Sequence, residues 1–124
     1  MHRCVGIACG IVVLAWASLA QAAGDAAAGE TVFKKNCAVC HTTEAGKNKI
    51  GPSLFGVVGR HSASVAGYSY SEAMKKADKT WDDQTLDTYL ANPRAVVPGT
   101  KMIFIGLKSD EDRQNVVAFL ETQK

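Results

Sequence analysis

Beyond its first 22 residues the sequence is short of cysteine, and that scarcity narrows the chemistry more than any other feature. Of four cysteines, Cys4 and Cys9 fall in an N-terminal stretch that reads as a leader, so the remainder keeps only Cys37 and Cys40. A close pair of this kind fits a small redox disulfide or half of a zinc site, but zinc needs four ligands and no second pair exists. Charge of one sign is also missing. The 14 basic and 12 acidic side chains become 13 against 12 once Arg3 leaves with the leader, which argues against nucleic acid as a partner. No apolar run reaches the ~20 residues needed to cross a bilayer. Strand-like alternation, internal repeats and low-complexity tracts are absent too, which points to an all-α chain of helices and loops.

What is present begins with Met1, His2 and Arg3, a short basic start before the apolar run from Val5 to Leu19. Ala20-Gln21-Ala22 supplies the small-x-small pattern read by signal peptidase, so residues 1–22 are expected to be a signal peptide cleaved after Ala22. The rival reading is an uncleaved anchor. Cys9 does not mark a lipoprotein, because it lies inside the apolar run rather than at its end. Cleavage leaves one domain, residues 23–124, whose 102 residues give a modest core that profits from an internal prop.

Asp25 is placed to cap a first helix, with Gly29, Val32, Phe33 and Cys37 at helical spacing. The glycine-rich stretch from Thr42 to Gly67 predicts a long irregular loop, which needs an organiser. Ser69 or Ser71 begins a short helix through Ala77, with Tyr70, Ala73 and Met74 inward. Asp82 or Asp83 opens a helix bearing Leu86, Tyr89 and Leu90, ended by Pro93. Residues 95–105 read as an extended loop. Ser109-Asp110-Glu111-Asp112 then opens a last helix with Val116, Val117, Phe119 and Leu120 on its apolar face.

Cys37-Ala38-Val39-Cys40-His41 is the most informative segment. Two thiols three residues apart near a helix end point to one side, and each can add across a vinyl group of haem. His41 is then positioned to offer a ring nitrogen to iron, while its other nitrogen needs a carbonyl acceptor. A chance Cys-x-x-Cys before a surface histidine is the bland alternative, and the leader weighs against it, because bacterial haem attachment operates outside the cytoplasm. One covalently bound haem c would also supply core that the short chain lacks. For the second axial position the candidates are Met74, Met102 and His61. Met74 suits helix packing, and Met102, although a Pro-Gly loop can present its thioether to a metal, reads on composition alone as a core gap-filler.

The chain resembles the class I c-type cytochromes, the mitochondrial cytochromes c and bacterial cytochromes c2, from Gly24 to Leu120. The likeness rests on Gly29, Phe33, the cysteine motif, Gly51-Pro52-x-Leu54, Gly59-Arg60, Tyr70, Trp81, Tyr89-Leu90-x-Asn92-Pro93 and Pro98-Gly99-Thr100-Lys101-Met102-Ile103-Phe104. The resemblance implies a small all-α cytochrome c fold with helices and long loops around one covalent haem, Met102 as second ligand beside His41, and the Pro52 carbonyl as acceptor for His41. It further implies Arg60, Tyr70 and Trp81 at the haem propionates, Tyr89 and Thr100 near Met102, and Gly29, Phe33, Val116 and Phe119 in the contact between first and last helices. Two departures stand out. Met74 replaces a polar residue that in many relatives bonds buried water, and Arg94-Ala95 replaces a doubly basic pair.

The implied function is an electron carrier rather than an enzyme: a monomer in the bacterial periplasm that passes single electrons between larger redox proteins. Lys35, Lys49, Arg94, Lys101 and Lys108 are candidate docking charges around a haem edge, with Asp82, Asp83, Asp87 and Asp110 to Asp112 expected elsewhere on the surface. Deprotonated Lys101 is a candidate to displace Met102 at alkaline pH. The rivals are a haem peroxidase, which requires Met102 to leave iron readily, and a membrane-tethered cytochrome subunit.

Overall fold

The computed structural model describes residues 24–124; the expected leader, residues 1–22, lies outside them. Asp25 accepts from the backbone N–H groups of Ala27 and Ala28 at 2.8 and 3.2 Å, and this cap starts helix α1, Ala26–Asn36. Ser71 caps a single short turn of helix, α2, Glu72–Lys76, and Asp82 caps α3, Asp83–Ala91. Ser109 accepts from Asp112 N–H at 3.2 Å to open α5, Asp110–Glu121, whose first turn carries three acids that favour the positive helix end. Tyr70 precedes α2 rather than lying on it.

Pro93 ends α3 as expected, yet it also starts a helix, which the expectation of an extended loop from residue 95 did not include. Asn92 accepts from Ala95 N–H at 3.3 Å and α4 runs Pro93–Val96. Proline's fixed φ and missing N–H suit the first helical position, so one residue both stops α3 and begins α4.

The first and last helices make the most extensive contact between elements. A Cβ on Gly29 would lie 1.8 Å from the Asn115 carbonyl oxygen, so only glycine lets the two backbones approach. Phe33 and Phe119 pack at 5.4 Å between ring centroids beside this crossing, and Asn115, itself buried, accepts from Asp25 N–H at 2.7 Å. The loop from residue 42 to 67 is irregular, as its glycines require. Among the described residues its only strand-like feature is one antiparallel bridge, His61 with Thr80. Hydrogen bonds from Gly59 N–H to Trp81 O and Trp81 N–H to Arg60 O join it to the segment before α3. The buried core gathers Trp81, Leu86, Tyr89, Leu90, Val97, Leu107, Val116 and Leu120 around an interior cleft.

Candidate functional site

Cys37 closes α1, and the chain turns tightly there. Cys40 and His41 both donate from their backbone N–H groups to Cys37 O, at 3.0 and 2.9 Å, so two thiols and an imidazole share one turn. Neither cysteine is in a disulfide, and both are half-buried. Burial, reinforced by neighbouring Cys40, pushes the Cys37 thiol up to about 11, which keeps it a neutral thiol at physiological pH. His41 donates from Nδ1 to the Pro52 carbonyl at 2.7 Å. A carbonyl only accepts, so the proton sits on Nδ1 and Nε2 keeps its lone pair. Burial holds the imidazole pKa below its ordinary value, the Pro52 bond opposing this more weakly, and the ring stays neutral. A Cβ on Gly51 would meet the ring Cε1 at 2.3 Å, so residue 51 forms a floor that fits the imidazole only as glycine.

Met102 comes from the extended segment between α4 and α5. Tyr89 Oη lies 3.4 Å from its sulfur and 3.4 Å from Thr100 Oγ1, which also accepts from Met102 N–H at 3.3 Å. Burial raises the Tyr89 pKa and keeps its hydroxyl a donor. The Trp81 and Tyr89 rings pack at 4.9 Å. Met74 is half-buried on α2 against the core. His61 is exposed, with Nε2 2.8 Å from Asp78 Oδ1 and Nδ1 2.9 Å from Ser62 O, so both ring nitrogens have partners within the chain.

All ten site residues singled out from the sequence border one cleft of about 430 Å³, together with Met74 and His61. Arg60 spends two donors on the carbonyls of Phe55 and Ser53, at 2.9 and 3.0 Å, and the Tyr70 hydroxyl accepts from Val65 N–H at 3.1 Å. Because Trp81, Leu86, Leu90, Val116 and Leu120 belong to both the core and the cleft wall, the cleft is part of the core. Left unfilled, this space would deprive those core side chains of packing partners on one side. A large apolar group with two attachment thiols, an available imidazole nitrogen and a thioether fits this wall.

The cytochrome c family pattern matches residues 26–124. The chain belongs to that family. It is 52% identical over 111 residues to cytochrome c2 of Rhodomicrobium vannielii, covering 89% of this chain and 88% of that protein. It is also 52% identical over 101 residues to cytochrome c of Arabidopsis thaliana, covering 81% and 90%. The solved structure of cytochrome cH from Methylobacterium extorquens superposes with a TM-score of 0.75 at 44% identity, covering 80% of this chain and 99% of that one. The fold is the small all-α cytochrome c fold, the cofactor is one covalently bound haem c, and the coarse function is electron transfer. Among the described residues no helix is long and apolar enough to cross a membrane.

The charges suggested for docking lie at several places on the surface. Arg94 and Lys108 border a hollow of about 390 Å³ with Ile103 and Ile105, which are 91% and 82% exposed. Lys49 donates to Ala38 O at 2.6 Å, Lys101 donates to Ser69 O and lies 5.2 Å over the Tyr68 ring, and Lys35 stands on the last turn of α1. Of the acids, Asp87 and Asp110 both pair with Arg113. Sequence reasoning missed Arg113 and Tyr68. Arg113 shares a helical face with Val116 and Val117, so a charge on the apolar stripe was its signal; Tyr68, whose hydroxyl donates to Ile50 O at 2.9 Å, had none.

Proposed function

We propose that this chain shuttles single electrons between larger redox proteins in the bacterial periplasm, with Cys37 and Cys40 as the covalent attachment points and His41 and Met102 as axial ligands. The haem supplies a one-electron iron couple. His41 offers Nε2 because Pro52 holds the proton on Nδ1, and that hydrogen bond also orients the ring and raises its basicity as a ligand. Met102 offers a soft, weakly donating sulfur that favours ferrous over ferric iron, and Tyr89 and Thr100 hold the loop end that carries it. Trp81, Leu86 and Leu90 give the cleft an apolar wall, which would disfavour the extra charge of the oxidised state. Arg60, Tyr70 and Trp81, which border the cleft, would hold the propionates. The observation that carries this reading is that a prearranged imidazole and a thioether with its own hydroxyl partner border the same cleft as the two thiols.

Partners would meet the face where Arg94 and Lys108 adjoin the exposed Ile103 and Ile105, with Lys35, Lys49 and Lys101 as further candidate charges. The leader would direct export and be removed after Ala22, leaving the domain from residue 23. A redox titration with spectra tests the ligand assignment. The parent should show long-wavelength sulfur-to-iron absorption and no carbon monoxide binding at neutral pH. In Met102→Ala that absorption should vanish, carbon monoxide should bind, and the potential should fall by on the order of 100 mV, because axial ligation tunes haem over ~0.8 V. Carbon monoxide binding to the parent would instead favour a peroxidase-type site with a labile methionine.

A further inference from the structure

Arg113 is a buried cation that the electron-transfer reading leaves without a role. It lies in the first turn of α5, yet its guanidinium reaches three parts of the chain. Nε donates to Asp87 on α3 at 3.0 Å, Nη2 to Asp110, and Nη1 to the carbonyls of Leu107 and Lys108 at 2.8 and 3.3 Å. Those two carbonyls end the segment that carries Met102.

Within the segment the other ties come from side chains: Thr100 Oγ1 accepts from Met102 N–H, Tyr89 Oη lies beside the Met102 sulfur, Lys101 donates to Ser69 O, and Met102 and Phe104 pack against the core. Among the described residues, 101–106 make no backbone–backbone hydrogen bond, and Ile103 and Ile105 are almost wholly exposed. Upstream, Thr100 N–H donates to Val97 O at 3.0 Å. Downstream the next fixed point is Leu107, buried, with its N–H on Leu90 O at 2.8 Å and its carbonyl on Arg113. Gly106 just before it has φ +111°, and a Cβ there would lie 2.2 Å from Ala91 O, so the chain is drawn tight against the end of α3. The backbone that carries Met102 is thus bonded to other backbone only at the two ends of the span.

We propose that Arg113 is the clasp of the methionine segment, a positioning residue that sets how rarely Met102 swings away from haem iron. The inference rests on Met102 being the axial ligand. A charged donor bonded to two carbonyls inside the protein is worth more than a neutral pair, and its loss leaves those carbonyls and Asp87 without their partner. The span then opens more often, and a competing ligand gains in proportion to the open fraction.

The test is imidazole binding to the ferric holoprotein, followed through the sulfur-to-iron absorption. Arg113→Gln should raise the apparent imidazole affinity by about tenfold or more, while Val117→Ala, which weakens α5 packing without touching the clasp, should stay within about twofold of the parent. Asp87→Ala removes one acceptor and leaves both carbonyl bonds, so it should shift affinity the same way by about threefold, a measure that survives if Arg113→Gln does not fold. Equal imidazole affinity in the parent, Asp87→Ala and any folded Arg113→Gln protein overturns the clasp alone. A parent without sulfur-to-iron absorption overturns the ligand assignment and the clasp together.

Discussion

Both ligand candidates are tuned by one partner each: Pro52 O fixes the proton of His41 on Nδ1, and Tyr89 places a hydroxyl beside the Met102 sulfur. The thiol and imidazole positions were legible because the Cys-x-x-Cys-His spacing brings three groups onto one turn. The choice among Met74, Met102 and His61 came only from the family resemblance, since a loop methionine in sequence looks the same whether it fills a gap or faces a metal. His61 illustrates the difference tertiary contact makes, because its ring is occupied by Asp78, 17 residues away. That hydrogen bond raises the His61 pKa above its ordinary value. The stabilisation it brings is therefore fully present below the unfolded pKa of ~6.5 and is lost as pH rises through the higher folded value. Proton NMR of the imidazole should show a raised titration midpoint in the parent that drops in Asp78→Asn; identical midpoints would disprove the coupling.

At the scale of elements, the caps at Asp25 and Ser109 were readable outright and those at Ser71 and Asp82 only as one of two candidates each, because a side-chain oxygen before an apolar-periodic run satisfies free N–H groups wherever the helix ends up. Helix α4 was not foreseen, since Pro93 is equally a stop signal and a start signal and only Asn92 acting as a cap chooses the second. The helix crossing depends on Gly29 having no side chain. Gly29→Ala should push α1 from α5 and cost the holoprotein about 2–4 kcal/mol in guanidinium unfolding, well beyond a surface substitution. A loss below about 0.5 kcal/mol would mean that the helices part without penalty.

At the scale of the molecule, the cofactor and the core are one structure. The cleft wall is made of the same buried side chains that join α3 to α5, so a chain without its covalent group would leave those side chains without their packing partner. Cys37→Ala/Cys40→Ala should therefore lose most of its helical far-ultraviolet circular dichroism when purified free of haem, and regain it on adding haem. Native helicity in the haem-free double variant would show that the polypeptide packs by itself. The charge pattern also became clear only at this scale: Arg113 neutralises Asp87 and Asp110, while Arg94 and Lys108 converge beside exposed isoleucines.

The sequence by itself determined the all-α class, most helix starts and the attachment turn, because capping, periodicity and Cys-Cys-His spacing act within a few residues of chain. The family resemblance already implied the ten site residues about one haem and Gly29 between the first and last helices. Only the tertiary structure decided that the crossing leaves no room for a Cβ at Gly29, that Asn115 reaches Asp25, and that Arg113 ties α3 to the methionine segment. These are contacts between groups far apart along the chain, and they are set by which surfaces can be buried together rather than by any local pattern.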